Sequence, residues 1–363
     1  MPDAPPFAPR RLLVTGGAGF IGSHFVDRAL RGRTTRAESP VPPPAGEETL
    51  ERLVVIDALT YAGLRENLAD AEGDPRLVFV RGDVCDRPLL ERLFAEYHFD
   101  AVVHLAAESH VDRSIADLTP FVRTNVTGTC TLLDVARRAW GSGRGVGACR
   151  LVHVSSDEVY GSLGPTGRFD ESSPYAPRSP YAASKASADL FARAMHVTHG
   201  LPVIITHSAN NYGPRQLPEK LVARTIACAI AGKPIPLYGV GEQVREWLFV
   251  ADQVDALSSA LSLGRPGETY DFAGTEALPN RITVERIADA VDEAMGRPAG
   301  TSRRLITLVP DRPGHDFRYA LAGAKAAREL GWRSQVAFAE GLGETVRWYL
   351  ANSAWIGAAG GPS

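Results

Sequence analysis

The sequence predicts an α/β protein: a doubly wound parallel sheet followed by a smaller mixed α/β region. Three observations carry that expectation. Short apolar runs recur as RLLVT (11–15), LVVID (53–57), LVFV (77–80), AVVHL (101–105), RLVHV (150–154) and PVIIT (202–206). Such runs lack the alternation of a half-solvated strand and suit strands buried on both faces. Helical stretches alternate with them near 20–31, 87–97, 120–140 and 180–199, as crossovers between parallel strands require. Past about residue 216 the rhythm loosens, with helices near 218–232, 252–263, 283–295 and 338–352 and short strands at 235–238 and 269–272.

Taken in order, the first strand runs into Gly16-Gly17-Ala18-Gly19-Phe20-Ile21-Gly22 and then an amphipathic helix. Glycines at 16, 19 and 22 let backbone turn tightly and approach a pyrophosphate, whose charge the helix N-terminus holds. The second strand ends in Asp57, where a carboxylate accepts ribose hydroxyls and repels a 2′-phosphate. This is a Rossmann-type pattern that favours NAD over NADP. Asp83, closing the third strand in RGDV, is placed to meet the adenine end. Residues 32–50, with Pro42, Pro43 and Pro44, make an unusually long connection before the second strand. They read as a polyproline-type surface excursion with no functional assignment. The expected organisation is a dinucleotide-binding domain over 10–215, a mainly substrate-binding domain over 216–353 with some segments returning to the first sheet, and loose tails at 1–9 and 354–363.

Composition narrows the function. The 363 residues carry 39 Lys+Arg against 42 Asp+Glu, a net charge of −3, which disfavours a nucleic-acid binder. No apolar run is long enough to span a membrane, and Asp3 with several prolines breaks up any secretory-type leader. Cys85, Cys130, Cys149 and Cys228 are too scattered for a metal cluster or a disulfide framework. A cytoplasmic enzyme without a metal is expected.

The fifth strand ends in Ser155-Ser156-Asp157-Glu158-Val159-Tyr160-Gly161, and Tyr181-Ala182-Ala183-Ser184-Lys185 follows. On a helix the i,i+4 spacing puts Tyr181 and Lys185 on one face, so the ammonium favours a phenolate and Tyr181 is a candidate base. Strand C-termini are where open α/β sheets bind ligands, which groups Ser156, Asp157 and Glu158 in the same cleft.

With LVTGGAGFIGSH, LTYAG, HLAAESHVDRSI, SSDEVYG, SPYAASKAS, NNYGP, PEKL, VREWLFVAD and DRPGHDFRY, the chain resembles the extended short-chain dehydrogenase/reductases that act on nucleotide sugars. Within them it is similar to the dTDP-glucose 4,6-dehydratases, over about 11–353. The Asp-Glu pair discriminates, because related 4-epimerases lack it and decarboxylases generally keep only the Glu. The resemblance implies that NAD takes a hydride from C4 of dTDP-glucose while Tyr181 removes the O4 proton. Glu158 would then take the C5 proton, Asp157 would protonate the leaving C6 hydroxyl, and the hydride would return to C6. Neighbouring acids would have to hold opposite protonation states.

Further roles follow from the same resemblance. On the cofactor side it places Gly16, Gly19, Phe20, Ile21, Gly22, Asp57, Asp83, Val84, Leu105, Ala106, Ala107 and Asn210, together with Tyr181 and Lys185. On the nucleotide-sugar side it places Glu108, Ser109, Asn211, Glu219, Lys220, Leu221, Pro236, Tyr238, Arg245, Asn280 and Tyr319. Arg245 suits a diphosphate on its own chemistry. Ser156 stands where the family has Thr, keeping the hydroxyl that bonds the sugar O4. Asn125 matches a structural or cofactor-side Asn, and His110 and His315 read as structural hydrogen-bonders. A homodimer is implied through the outer faces of the 120–140 and 180–199 helices.

The chain departs from the family at His207-Ser208-Ala209, where Cys-Ser usually precedes NNYGP, and at Arg215-Gln216-Leu217, where an aromatic pair brackets a polar residue. These positions are expected near the nicotinamide or the hexose, and Ser208 is a candidate for tuning product partition. A 4-epimerase or decarboxylase, or a silent NAD-binding sensor, stays open as an alternative. Sequence leaves the nucleobase preference open.

Overall fold

The computed structural model describes residues 6–31, 50–141 and 148–360. The proline run 42–44 and most of the 32–50 insertion lie outside the described residues. The strands are β1 (Arg11–Thr15), β2 (Arg52–Asp57), β3 (Leu77–Arg81), β4 (Ala101–His104), β5 (Arg150–Val154), β6 (Val203–Ser208), β7 (Asn210–Tyr212), β8 (Ile235–Tyr238), β9 (Val244–Phe249), β10 (Thr269–Phe272), β11 (Glu276–Pro279) and β12 (Ile306–Val309). The helices are α1 (Phe20–Arg31), α2 (Arg87–Tyr97), α3 (Val111–Ala116), α4 (Thr119–Phe121), α5 (Thr129–Gly141), α6 (Pro180–His199), α7 (Leu221–Ala231), α8 (Val250–Leu263), α9 (Asn280–Ala294), α10 (Ala324–Glu329), α11 (Phe338–Ala351) and α12 (Ser353–Ala358).

Seven strands form one parallel sheet in the order β10-β6-β5-β4-β1-β2-β3. Why the strands read as unbroken apolar runs is visible in their alternation. Leu12, Val14, Leu53 and Val55 point into one core with Phe25, Leu30 and Leu257, whereas Leu13, Val54 and Ile56 point into another with Leu90, Phe94 and Trp140. Successive side chains face opposite ways, so helices covering both faces demand apolar residues at every position. Strand order reverses beside β1, which opens a crevice at the C-terminal ends of β1 and β4.

A three-stranded sheet, β11-β9-β7, and the β12-β8 pair make the second region. Its core packs Tyr212, Trp247, Phe249, Val284, Ile287 and Phe338. The chain does not pass cleanly from one region to the other: β7 joins the second sheet, and β10 returns to pair with β6.

Several bounds differ from expectation. The expected 120–140 helix is interrupted by a π-helical stretch at Val122–Gly128, with Asn125 drawn inward to Glu108 and Ser184 and the Thr129 hydroxyl donating to the Asn125 carbonyl at 2.6 Å. Helix α7 starts at Leu221, not 218, because Glu219 and Lys220 turn into the cleft. The expected tail from 354 instead begins within α12, where Trp355 donates to Asn67 Oδ1 at 2.9 Å and packs edge-on against Trp348. At the other end Phe7 N–H donates to the Ser262 carbonyl at 2.8 Å. Among the described residues no helix is long and apolar enough to cross a membrane.

Candidate active site

The turn after β1 is built so closely that only glycine fits. Gly16 has φ +71°, and a Cβ there would meet Ala106 N at 2.6 Å; a Cβ at Gly22 would meet the Gly16 oxygen at 2.1 Å. Asp57 fixes the same turn, its Oδ2 accepting from Ala18 N–H at 2.9 Å and its Oδ1 from Leu59 N–H at 2.8 Å. Burial pushes its pKa up, against those two backbone hydrogen bonds. Beside it opens a cavity of about 330 Å³ lined by Gly16, Gly19, Asp57, Asp83, Val84, Leu105, Ala106, Ala107 and Glu108. Asp83 there pairs with Arg123 at 2.7 Å. A side-chain-free cradle at the N-terminus of α1, with a carboxylate at the end of β2, fits a dinucleotide.

A second cavity, about 410 Å³, shares Gly16, Gly19, Ala62, Leu105 and Ala107 with the first and continues over β5 and β6. Its floor is a 3-10 turn, Asp157–Tyr160, capped by Ser156, whose Oγ accepts from Glu158 N–H at 3.3 Å. Asp157 is 1% exposed, and among the described residues its Oδ2 has no hydrogen-bond partner. Burial first, then the neighbouring Glu158, holds its pKa well above the carboxylate range. Burial also raises Glu158, but the Lys220 and Arg245 cations oppose that rise.

Helix α6 presents the other half. Ser179 caps it by accepting from Ala182 N–H at 3.1 Å, Pro180 begins its first turn, and Tyr181 N–H is held by Ser114 Oγ at 3.1 Å. Tyr181 and Lys185 both line the cavity. Burial and Glu158 push the Tyr181 phenol up while a hydrogen bond with Ser156 opposes them. Lys185 Nζ donates to the Val154 carbonyl at 2.7 Å, and burial lowers its pKa to about 8. The site therefore holds an acid whose proton is favoured by burial, a second acid near two cations and a phenol on a lysine-bearing helix. That set can move protons at three neighbouring atoms of one bound molecule.

The far end is cationic. Lys220 Nζ donates to the Ser109 carbonyl at 2.6 Å. Arg245 donates to the Val244 and Asp316 carbonyls at 2.8 and 2.9 Å and lies 4.2 Å over the Tyr319 ring. Tyr319 hydroxyl donates to Asp316, so it is anchored rather than free to swing. Asn211, Glu219, Leu221, Pro236, Tyr238 and Asn280 complete this wall, with the Asn211 and Asn280 Oδ1 atoms unpartnered among the described residues. Phe20, Ile21, Ser109, Ser156 and Asn210 line the same cavity.

Some expected residues lie elsewhere. Glu108, grouped with the sugar contacts, lines the first cavity, and Asn125 lies behind it, its amide accepting from Glu108 N–H at 2.8 Å. Arg215 does not reach the cavity: it bridges Asp27 and Asp70, both at 2.7 Å, because those carboxylates flank it on α1 and the Arg65–Ala71 turn. His207 is likewise buried behind the floor, whereas Ser208, Gln216 and Leu217 do line it. His110 and His315 line the wall, His315 bonded to Asp311 at 2.7 Å. Arg312, missed in the sequence, faces the wall with its guanidinium 5.2 Å from the Tyr238 ring and bonded to Asp112 at 2.9 Å. A basic residue beside a glycine-containing turn, RPG, was the signal for it.

Residues 13–345 match the profile of the family described as GDP-mannose 4,6 dehydratase. Over 348 residues the chain is 47% identical to the dTDP-glucose 4,6-dehydratase of Xanthomonas campestris pv. campestris, covering 95% of this chain and 94% of that protein. Its fold is similar to that of the dTDP-glucose 4,6-dehydratase DesIV from Streptomyces venezuelae, solved with NAD bound, at 48% identity, 96% and 99% coverage and a TM-score of 0.85. The dTDP-glucose 4,6-dehydratase of Bacillus anthracis, also in complex with NAD, is 40% identical with a TM-score of 0.81 over 96% and 99% of the two chains.

Proposed function

The chain belongs to the GDP-mannose 4,6 dehydratase family, and on that premise we propose that it is an NAD-dependent dTDP-glucose 4,6-dehydratase. It converts dTDP-glucose to dTDP-4-keto-6-deoxyglucose, a step that serves deoxysugar biosynthesis. The observation that carries the reading is the Asp157-Glu158 pair. Asp157 is buried with its Oδ2 unpartnered among the described residues while its Oδ1 accepts from Ser156 Oγ at 3.4 Å, and Glu158 is held against the effect of burial by Lys220 first and then Arg245.

Bound NAD supplies a hydride acceptor for the sugar C4 and a hydride donor for C6. Gly16, Gly19, Gly22 and Asp57 would hold it. Tyr181 removes the proton from the sugar O4, with Ser156 donating to the same oxygen and Lys185 favouring the phenolate. The C4 ketone acidifies C5, and Glu158, kept able to ionise by Lys220 and Arg245, takes the C5 proton and later returns a proton to C5 when C6 is reduced. Asp157 delivers its proton to the departing O6, a task for which a raised pKa is required. Lys220, Arg245, Asn211 and Asn280 orient the diphosphate and nucleoside so that C5 and C6 face the acid pair.

A 4-epimerase has no use for this acid pair, and a sensor has no use for Tyr181, Lys185, Asp157 and Glu158 together. We also propose a homodimer, supported by the exposed Ile115 on α3, Leu118 just before α4, Val122 on the π-helical stretch, and Leu190, Phe191 and Val197 on α6. Its four cysteines are free thiols, as suits a cytoplasmic setting. Incubation with dTDP-glucose, UDP-glucose and GDP-mannose, followed by mass spectrometry, tests the assignment. Loss of one water from dTDP-glucose is expected; unchanged mass with inverted C4 would overturn it.

A further inference from the structure

Behind the acid pair lies a chain of polar groups, all buried except the half-buried Tyr175, for which the reaction above has no use. His207, on β6, sets one ring nitrogen against each of two carboxylates. Its Nε2 is 3.1 Å from Asp189 Oδ2, and its Nδ1 is 2.9 Å from Asp271 Oδ1. Tyr160 hydroxyl lies 2.9 Å from Nδ1 and donates to Asp271 Oδ1 at 3.0 Å. Tyr175 hydroxyl lies 2.9 Å from Nε2 and donates to Asp189 Oδ2 at 3.0 Å. Carboxylates only accept, so an imidazole between two of them is satisfied when both nitrogens carry protons.

The connectivity gives this cluster its consequence. Tyr160 is the last residue of the turn that carries Asp157 and Glu158. Asp189 follows Lys185 by one helical turn on α6, the helix that also carries Tyr181. Asp189 Oδ2 in addition accepts from Ser155 Oγ at 2.9 Å, immediately before Ser156. Building on the dehydratase reading, we propose that His207 is a positioning residue, an imidazolium tether that locks the elimination acids to the helix bearing the base. It touches neither substrate nor cofactor and acts through Tyr160 and Asp189.

The electrostatics support a charged ring. Burial alone would lower the His207 pKa, but hydrogen bonds to Asp189 and Asp271 raise it to about 9. Burial would likewise raise Asp189, yet His153 and His207 hold it far below the carboxylate range. The groups facing the ring are Asp189 from α6, Asp271 from β10, Tyr160 from the turn and Tyr175 from the loop before α6. Around them lie His153, whose Nε2 is 3.0 Å from Asp189, Arg193, which donates to Tyr175 hydroxyl at 3.0 Å, Glu171, which accepts from Asp271 N–H at 3.0 Å, and Lys185. A raised pKa means the tether is intact at neutral pH and is lost as pH rises through about 9.

The test combines nuclear magnetic resonance with two variants. In ¹⁵N-histidine spectra of the native protein, the ring signal missing from H207R should be doubly protonated at pH 7; a neutral ring overturns the tether. H207Q, which cannot supply two charged donor edges, should lose about 10²-fold in kcat, the scale of a misplaced reacting group. Its KM should stay within about threefold of native. H207R, whose guanidinium keeps the charge and several donors, should recover most of that loss. A native-like kcat in H207Q, or H207R less active than H207Q, overturns the proposal. If H207Q does not fold, the ring spectrum and H207R decide. Failure of the dehydratase reading is separate: the native protein would then not turn over dTDP-glucose, while the ring spectrum would still report the tether.

Discussion

Asp157 and Glu158 are neighbours on one short turn, yet Lys220, a cation that opposes the rise of the Glu158 pKa, has no comparable hold on Asp157. Adjacent carboxyls are thereby pushed apart in acidity. D157N should oxidise C4 but eliminate water at least about 10²-fold more slowly. E158Q should in addition stop solvent deuterium from entering C5. Both pKa values are raised, Asp157 by burial and then Glu158, and Glu158 by burial against Lys220 and Arg245, so the acid form of Asp157 is lost as pH rises and the base form of Glu158 is lost as pH falls. Elimination in D157N at the native rate, read by mass spectrometry, would refute the assignment.

Lys185 bears a stability penalty. Its folded pKa of about 8 lies below the ordinary 10.5, so the charged form destabilises the fold in full below about pH 8, and the penalty is gone above 10.5. The shift from 10.5 to about 8 corresponds to something on the order of 3 kcal/mol. K185M should therefore raise Tm at pH 7, raise it less at pH 10, and lower kcat. A lower Tm at pH 7 would contradict this.

G22A should cost NAD affinity about tenfold or more, since a Cβ would stand 2.1 Å from the Gly16 oxygen and 2.8 Å from Gly17 Cα. G141A, where nothing lies within 4 Å, is the matched control and should bind normally. Calorimetric titration with NAD reads both.

Leu190 and Phe191 stand about half exposed on α6, at 57% and 48%. Placing two carboxylates there, in L190E/F191E, should weaken self-association by about 10²-fold or more, measured by sedimentation. A dimer of native strength would move the interface elsewhere.

Ser208 lines the cavity and accepts from Asn211 Nδ2 at 3.3 Å. If it tunes how long the keto intermediates persist, S208C should change the ratio of released products. Identical ratios would remove Ser208 from that role.

The strands and the glycine turn could be read directly because both obey local rules: a strand buried on two faces must be apolar throughout, and a turn whose Cβ positions are filled must be glycine. The acid pair was legible for a different reason, that its meaning lies in two adjacent letters. What could not be read were partners brought together by folding. Arg215 was expected at the cavity, but its two carboxylates, Asp27 and Asp70, lie 188 and 145 residues away. His207 looked like a departure near the nicotinamide, while Asp271, its partner across the sheet, is 64 residues on. The π-helical stretch at Val122–Gly128 depends on Asn125 reaching Ser184, another distant contact.

The return of β10 to the large sheet also bears on how the chain is born. Strand β6 gains its outer neighbour only when Thr269–Phe272 has been made, some sixty residues after β6 itself, with β7 and β9 of the second sheet threaded in between. A nascent chain that has emerged only as far as residue 215 presents β6 as an open edge, a template for pairing with other chains. Synthesis must run past Phe272 before that edge is sealed, so a chain cut after β6 keeps it open, and a nonsense mutation between Ser208 and Thr269 should yield aggregate rather than a smaller working domain.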